Sequence, residues 1–183
     1  MWVTLIAGCE IAFWVLLGAG LAVRYLLRRP RAGAALLVCV PLVDLLLLAA
    51  AVADLGDGGT AAARHGLAAA YVGFSAGYGH GVVRWADARF AHRFAGGPEP
   101  SPAPKYGRAR ALREWRLLGR TAVSAAVAAT LLQLAVWLVA DAGRTAALRE
   151  WQVRMAATAG IHAVVAASYT LWPKRGPAAA PRT

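Results

Sequence analysis

The chain has 183 residues, of which 59% are hydrophobic, and its mean hydropathy is +0.50. That length predicts one compact domain, with no room for a separate soluble one. The net charge of +11 is concentrated in short segments that flank apolar stretches, a distribution typical of membrane proteins rather than of nucleic-acid-binding proteins. We therefore expect the lipid bilayer, and no nucleic acid, as the main partner.

Five apolar stretches follow one another along the chain, at residues 2–23, 33–53, 66–83, 121–140 and 152–172. About 20 helical residues cross roughly 30 Å of hydrocarbon. Because a backbone in lipid must satisfy its own hydrogen bonds, such stretches are helices. The sequence predicts an all-α fold, a polytopic transmembrane helical bundle of five spans. These form a single integral membrane domain, residues 1–175, followed by a disordered tail at 176–183.

Basic residues are divided unequally between the two ends of this bundle. Segments 24–31, 84–120 and 174–182 hold sixteen of the twenty Lys and Arg residues, and all three fall on one side. The positive-inside rule assigns that side to the cytoplasm. We therefore expect the N-terminus outside, the C-terminus in the cytoplasm, and a multi-pass protein of the cell (cytoplasmic) membrane.

The connection at 84–120 is the longest segment outside the predicted spans. The third helix is expected to continue to Phe94, before the Gly-Gly-Pro sequence at 96–98. Alternating prolines from 98 to 104 then predict a stiff spacer. A second helix is expected at 110–120, lying at the headgroups with a basic face of Arg110, Arg113, Arg116 and Arg120. This face is either an anchor that fixes topology or a contact for anionic lipid headgroups or an acidic partner.

Three glycines of the third span, Gly73, Gly77 and Gly81, are spaced by four residues and share one helix face. Small residues at this spacing let a second helix backbone approach closely. The second helix belongs either to another span of the same chain or to a second copy in a homo-oligomer. The pattern predicts packing and specifies no chemistry.

Polar residues inside the spans are the main functional candidates. Counting the helical rise from the span ends puts Glu10, Asp44, Gln133 and His162 in one intramembrane polar band. In one interpretation they hydrogen-bond to one another and hold the helices in register. In the other the band lines a wet cavity in which a carboxylate binds a proton or a cation.

A separate cluster, His80, Arg84 and Asp87, lies at the cytoplasmic edge of the third span. Spacings of four and three residues put its members on one helix face. It is either a local Arg84–Asp87 ion pair beside a hydrogen-bonded His80, or a site for an anionic headgroup. The sequence contains no catalytic constellation, no metal-ligand cluster and no cofactor motif.

Several short segments resemble a known family: CEIAFW at 9–14, CVPLVD at 39–44, HGLAA at 65–69, GHGVVRWAD at 79–87, RFAGGP at 93–98 and PKYG at 104–107. The chain resembles the YmcC-like small multi-pass bacterial membrane proteins, whose function is unknown. The resemblance implies a bacterial membrane protein, and it implies no activity, cofactor or catalytic residue.

Three functions follow from these features. The sequence favours a non-enzymatic accessory or scaffold subunit that acts through helix packing and its basic cytoplasmic face, with a membrane-protein partner or a second copy of itself. The alternative is a small proton- or cation-coupled permease that uses Glu10, Asp44 and His162. A lipid-modifying enzyme that acts through His80, Arg84 and Asp87 is a third possibility.

Overall fold

The computed structural model describes residues 2–94 and 96–174, without the side chains of residues 2–7, 9, 10, 51 and 94. The tail predicted at 176–183 lies outside these residues. Five helices make up the described part, and no strand occurs in it. They are α1 (Trp2–Tyr25), α2 (Pro30–Gly56), α3 (Ala63–Phe94), α4 (Gly107–Val139) and α5 (Ala146–Leu171).

Two of the helices are much longer than the roughly 30 Å hydrocarbon core of a bilayer. α3 has 32 residues and α4 has 33, so each is about 50 Å long at a rise of 1.5 Å per residue. The prediction of a separate helix at 110–120 is wrong, because these residues form the first third of α4. Only Lys105 and Tyr106 intervene between the last of the alternating prolines and α4, and the helix then continues without a break into the apolar part.

Neighbouring helices pack in chain order, α1 on α2, α2 on α3, α3 on α4 and α4 on α5, and α5 also returns to α3. The main hydrophobic core lies toward the end of the bundle formed by the α2–α3 and α4–α5 turns. Its buried members are Leu48, Ala69, Leu132, Ala135, Val136 and Leu148. This core joins four helices, whereas α1 packs mainly on α2.

The three glycines of α3 lie against α4 of the same chain. A Cβ atom on Gly73 would lie 2.3 Å from the carbonyl oxygen of Ser124, and one on Gly77 would lie 2.4 Å from that of Arg120. A Cβ on Gly81 would meet the Arg120 guanidinium at 2.8 Å. The close approach expected of this spacing is therefore made within the chain.

The outer surface of the bundle is apolar. Large hydrophobic side chains are exposed on every helix, among them Trp14, Leu46, Phe74, Leu138 and Ile161. Among the described residues, α2 and α4 are long and apolar enough to cross a membrane, and a shorter apolar helix runs over Ile11–Tyr25 of α1. A surface of this kind is suited to lipid, because monomeric soluble proteins rarely expose so much contiguous apolar area.

Candidate functional site

A groove between α1, α2 and α3 contains the buried carboxylate of Asp44. The Asp44 groove has a volume of about 200 Å³. Its principal lining residues are Phe13, Trp14, Asp44, Arg64, Leu67 and Tyr71. Asp44 is brought there by α2, whose Leu47 and Leu48 pack into the bundle within one turn of it.

Asp44 is 4% exposed. Its Oδ2 atom accepts no hydrogen bond from any group in the described part of the chain. Burying an unpaired carboxylate is costly, and at the centre of a membrane the cost on insertion scales is about 2.5–3.5 kcal/mol. A proton or a bound cation would offset that cost.

Aromatic side chains form one wall of the Asp44 groove. The rings of Phe13 and Trp14 meet edge-on, with centroids 5.2 Å apart, and the Phe13 ring lies 5.5 Å from that of Tyr71. Trp14 is 69% exposed and Tyr71 is 42% exposed, so this wall reaches the outer surface. Arg64, near the start of α3, lines the same groove.

A chain of polar contacts joins α3, α4 and α5 elsewhere in the bundle. The Tyr78 hydroxyl lies 2.6 Å from Oγ1 of Thr121, which in turn lies 2.6 Å from Nδ1 of His162. The other ring nitrogen of His162 lies 3.9 Å from a carboxylate oxygen of Glu114. Through these contacts His162 approaches Glu114, which lies near the start of α4 and so near the α3–α4 connection.

Glu114 is the group that sequence reasoning missed. It is 5% exposed and forms a salt bridge with Arg110, whose Nη2 lies 2.9 Å from its Oε1, while Nη1 of Arg113 lies 3.7 Å away. The guanidinium of Arg110 also stacks on the ring of Tyr169, 4.6 Å from its centroid. Glu114 is the only acidic residue between 107 and 121. A lone acid in a basic helix is the signal that could have indicated this buried ion pair.

The predicted polar band is not one cluster, because its described side chains have different partners. Gln133 accepts a hydrogen bond of 3.0 Å from Gln152 of α5. His162 contacts Thr121, and Asp44 lies in its own groove between other helices. The side chain of Glu10 lies outside the described residues, although its backbone belongs to α1, one turn before Phe13. The structure thus gives Gln133 and His162 partners that the sequence did not indicate.

A second cleft is lined by residues of α3, α4 and α5. It has a volume of about 510 Å³, and Tyr78, Thr121, Ser124 and Thr158 give it polar groups. Leu67 and Tyr71 line both this cleft and the Asp44 groove. The two openings are therefore neighbours along α3 and share these two side chains.

The cytoplasmic-edge cluster is arranged differently from expectation. Asp87 is bonded to Arg24 of α1 through two contacts, one of them 2.8 Å long, and accepts a further hydrogen bond from Tyr25. These hydrogen bonds from Arg24 lower the pKa of Asp87. His80 and Arg84 are exposed. The expected Arg84–Asp87 ion pair is therefore replaced by a link between α1 and α3.

Basic residues also surround a cavity of about 260 Å³ at the same end of the bundle. It is lined by Lys105, Arg110 and Lys174 together with Tyr106 and Tyr169. The backbone N–H of Gly107 donates a hydrogen bond to the carbonyl of Lys174, which brings the α3–α4 connection to the end of α5. The cavity combines positive charge with two phenol groups, a composition suited to an anionic headgroup.

The remaining residues of the predicted basic face differ in their surroundings. Arg116 is exposed, and the guanidinium of Arg120 lies near Gly81 of α3. The four arginines thus do not form one uniform surface. No group of three or more His, Cys, Asp or Glu side chains suited to a metal ion is found in residues 2–94 and 96–174.

An all-helical bundle with an apolar outer surface and polar groups enclosed between its helices defines a membrane protein. No protein-family model matches the chain, and no solved structure matches it. One relative is the "Uncharacterized membrane protein YmcC" of Bacillus subtilis (strain 168). It is 36% identical over 176 residues, which cover 96% of this chain and 95% of that protein. The chain therefore belongs to the YmcC family of membrane proteins, as its short segments indicated.

Proposed function

We propose that all five helices cross the cytoplasmic membrane, with the N-terminus outside and the C-terminus in the cytoplasm. The charge distribution supports this topology, because the sixteen basic residues of one side flank the α1–α2 and α3–α4 connections and the end of α5. The lengths of α3 and α4 support it as well, since both exceed the bilayer and extend together toward the basic connection.

Proteolysis of oriented vesicles tests this topology. Lys105 is exposed in the α3–α4 connection, so trypsin should cut there in inside-out vesicles and leave the connection intact in right-side-out vesicles. Cleavage from the opposite side would contradict the orientation. A matched Lys105→Gln variant assigns the fragment to this position.

We propose that the protein is a small proton- or cation-coupled permease in which Asp44 binds the coupling ion. The observation that supports this function is the buried Asp44 carboxylate, whose Oδ2 has no partner in the described part of the chain and lines an open groove. An ionisable group inside a membrane commonly belongs to an ion or substrate pathway. The polar chain from Tyr78 to His162 and Glu114 adds groups able to carry a proton toward the cytoplasmic end.

The packing of α3 gives less support to the scaffold and enzyme hypotheses. The scaffold hypothesis relied on helix packing through Gly73, Gly77 and Gly81 together with the basic cytoplasmic face, and α4 of the same chain packs against the three glycines. The enzyme hypothesis relied on a free Asp87, and this carboxylate is bonded to Arg24 and Tyr25. The three glycines and Asp87 are therefore already in contact with other residues of the chain.

Flux in proteoliposomes tests the permease proposal. Vesicles with a trapped pH-sensitive dye and an imposed Na⁺ or K⁺ gradient should show protein-dependent proton movement. Asp44→Asn should abolish it, since the amide cannot bind or release a proton. Glu150→Gln is the matched control, because Glu150 is an exposed acid paired with Arg154. Equal flux with Asp44→Asn, or no flux with any variant, would contradict the proposal.

A second candidate function is an accessory or scaffold subunit that acts through its basic cytoplasmic end. The cavity of Lys105, Arg110 and Lys174 favours it, since three basic side chains and two phenols converge there. Native mass spectrometry of protein extracted in mild detergent should then show a retained anionic lipid, a bound protein or a second copy. Lys105→Gln together with Lys174→Gln should release a bound lipid. A bare chain in every preparation would contradict this candidate.

A further inference from the structure

The Asp44 groove combines a buried acid with an aromatic wall that reaches the outer surface of the bundle. We propose that this groove binds a small lipophilic organic cation, an ammonium group carried on a single aromatic or aliphatic body. The inference rests on the proposed function in taking Asp44 as the ion-binding group, and it names the class of substrate.

The buried Asp44 carboxylate favours a cation at its own end of the groove. Asp44 is the only carboxylate among the described residues that line the groove, and its Oδ2 has no hydrogen-bond donor among them. A protonated amine would donate to this atom, and charge-assisted hydrogen bonds are roughly twice as strong as neutral ones. A metal cation fits less well, because Ca²⁺ takes about six to eight oxygen ligands and Mg²⁺ requires octahedral coordination.

The aromatic wall selects an organic cation over an inorganic one. The electron-rich face of Trp, Tyr or Phe attracts an ammonium or quaternary ammonium group within about 6 Å of the ring centroid. The Phe13 ring contacts those of Trp14 and Tyr71, and all three rings line the groove together with Asp44. A ligand with a hydrophobic body would also bury surface against Leu47 and Leu67 of the same groove.

The size and opening of the groove restrict the ligand further. A volume of about 200 Å³ is below the roughly 300–1,000 Å³ of drug-sized sites, so one ring with a short ammonium chain is the appropriate scale. Trp14, Leu67 and Tyr71 are exposed at the apolar surface of the bundle, so a lipophilic ligand can enter from the bilayer. Arg64 also lines the groove and disfavours cations near its own guanidinium.

Equilibrium dialysis of the full chain in detergent tests this inference. The probe is radiolabelled phenethylammonium, a primary ammonium ion with N–H donors, and the competitor is propylbenzene, its uncharged isostere. We expect saturable binding of one probe per chain, at least tenfold weaker with Asp44→Asn and several-fold weaker with Trp14→Leu. Glu150→Gln should bind like the parent. Trp14 is exposed, so its replacement leaves the packing of the bundle in place.

The outcomes distinguish a failure of the proposed substrate class from a failure of the permease proposal. Equal binding by the parent and by Asp44→Asn, or effective competition by the uncharged isostere, would overturn the inference. So would absence of saturable binding to the parent. Asp44-dependent binding without flux in proteoliposomes would support the inference and refute the permease. Proton flux without probe binding would leave the permease and refute this class of substrate.

Discussion

The close packing of α3 on α4 allows us to predict how much one added methyl group lowers the free energy of unfolding. Gly73→Ala would place a Cβ 2.3 Å from the carbonyl oxygen of Ser124 and 3.0 Å from the Cβ of Ala128. Overpacking costs about 1–3 kcal/mol, and the upper end applies because a backbone carbonyl within a helix cannot turn aside. Alanine returns about 1 kcal/mol of helix propensity relative to glycine. The net loss in the free energy of unfolding is therefore about 2 kcal/mol.

Gly79 of the same helix provides the matched control, since a Cβ there would meet nothing within 4 Å. Gly79→Ala should gain the propensity term alone, so the two variants should differ by about 3 kcal/mol, roughly 100-fold in the unfolding equilibrium. The assay is SDS titration in mixed micelles, followed by far-UV circular dichroism. A Gly73→Ala variant as stable as Gly79→Ala would refute the close approach of α3 and α4.

Three further predictions concern polar contacts. Asp87→Asn should destabilise the protein at pH 7, because Arg24 lowers the pKa of Asp87 and the ionised carboxylate then stabilises the fold. That stability is present above the usual pKa of 3.8 and is lost as the pH falls through the lowered pKa, so the difference between parent and variant should shrink steadily when unfolding is measured from pH 7 downward. A double-mutant cycle with Gln133→Ala and Gln152→Ala should give a coupling energy of about 0.6 kcal/mol in SDS titrations. Glu114→Gln should cost about 1–3 kcal/mol in the same assay, whereas Glu150→Gln, at an exposed pair, should cost about 0–1 kcal/mol.

Hydropathy predicted the helical fold because each apolar stretch must form its own backbone hydrogen bonds in lipid. Hydropathy predicted the ends of the helices less accurately. α5 begins at Ala146, whereas the apolar stretch begins at residue 152, because the polar residues Arg149 and Glu150 are helical without being apolar. Local helix formation and membrane insertion are different properties, and hydropathy reports only the second.

The lateral arrangement of the helices was the part that the sequence could not provide. Counting the helical rise gives the depth of Asp44 or His162, but depth does not determine which helix each side chain faces. Arg24 and Asp87 are 63 residues apart and meet because α1 lies beside α3 at this end. Periodicity likewise identified a basic face near Arg110 without showing that Glu114 faces α5.

Polar residues inside this bundle differ in whether the fold itself satisfies them. Gln133 of α4 is bonded to Gln152 of α5, and Glu114 is paired with Arg110 one turn earlier in α4, so each has a partner that compensates its own burial. Asp44 receives no such compensation at Oδ2 from the described residues. Removing a charge that lacks a partner should leave the bundle as stable or make it more stable, whereas removing one that has a partner should weaken it. Asp44 is therefore a buried carboxylate at which a ligand or a proton gains stability by binding.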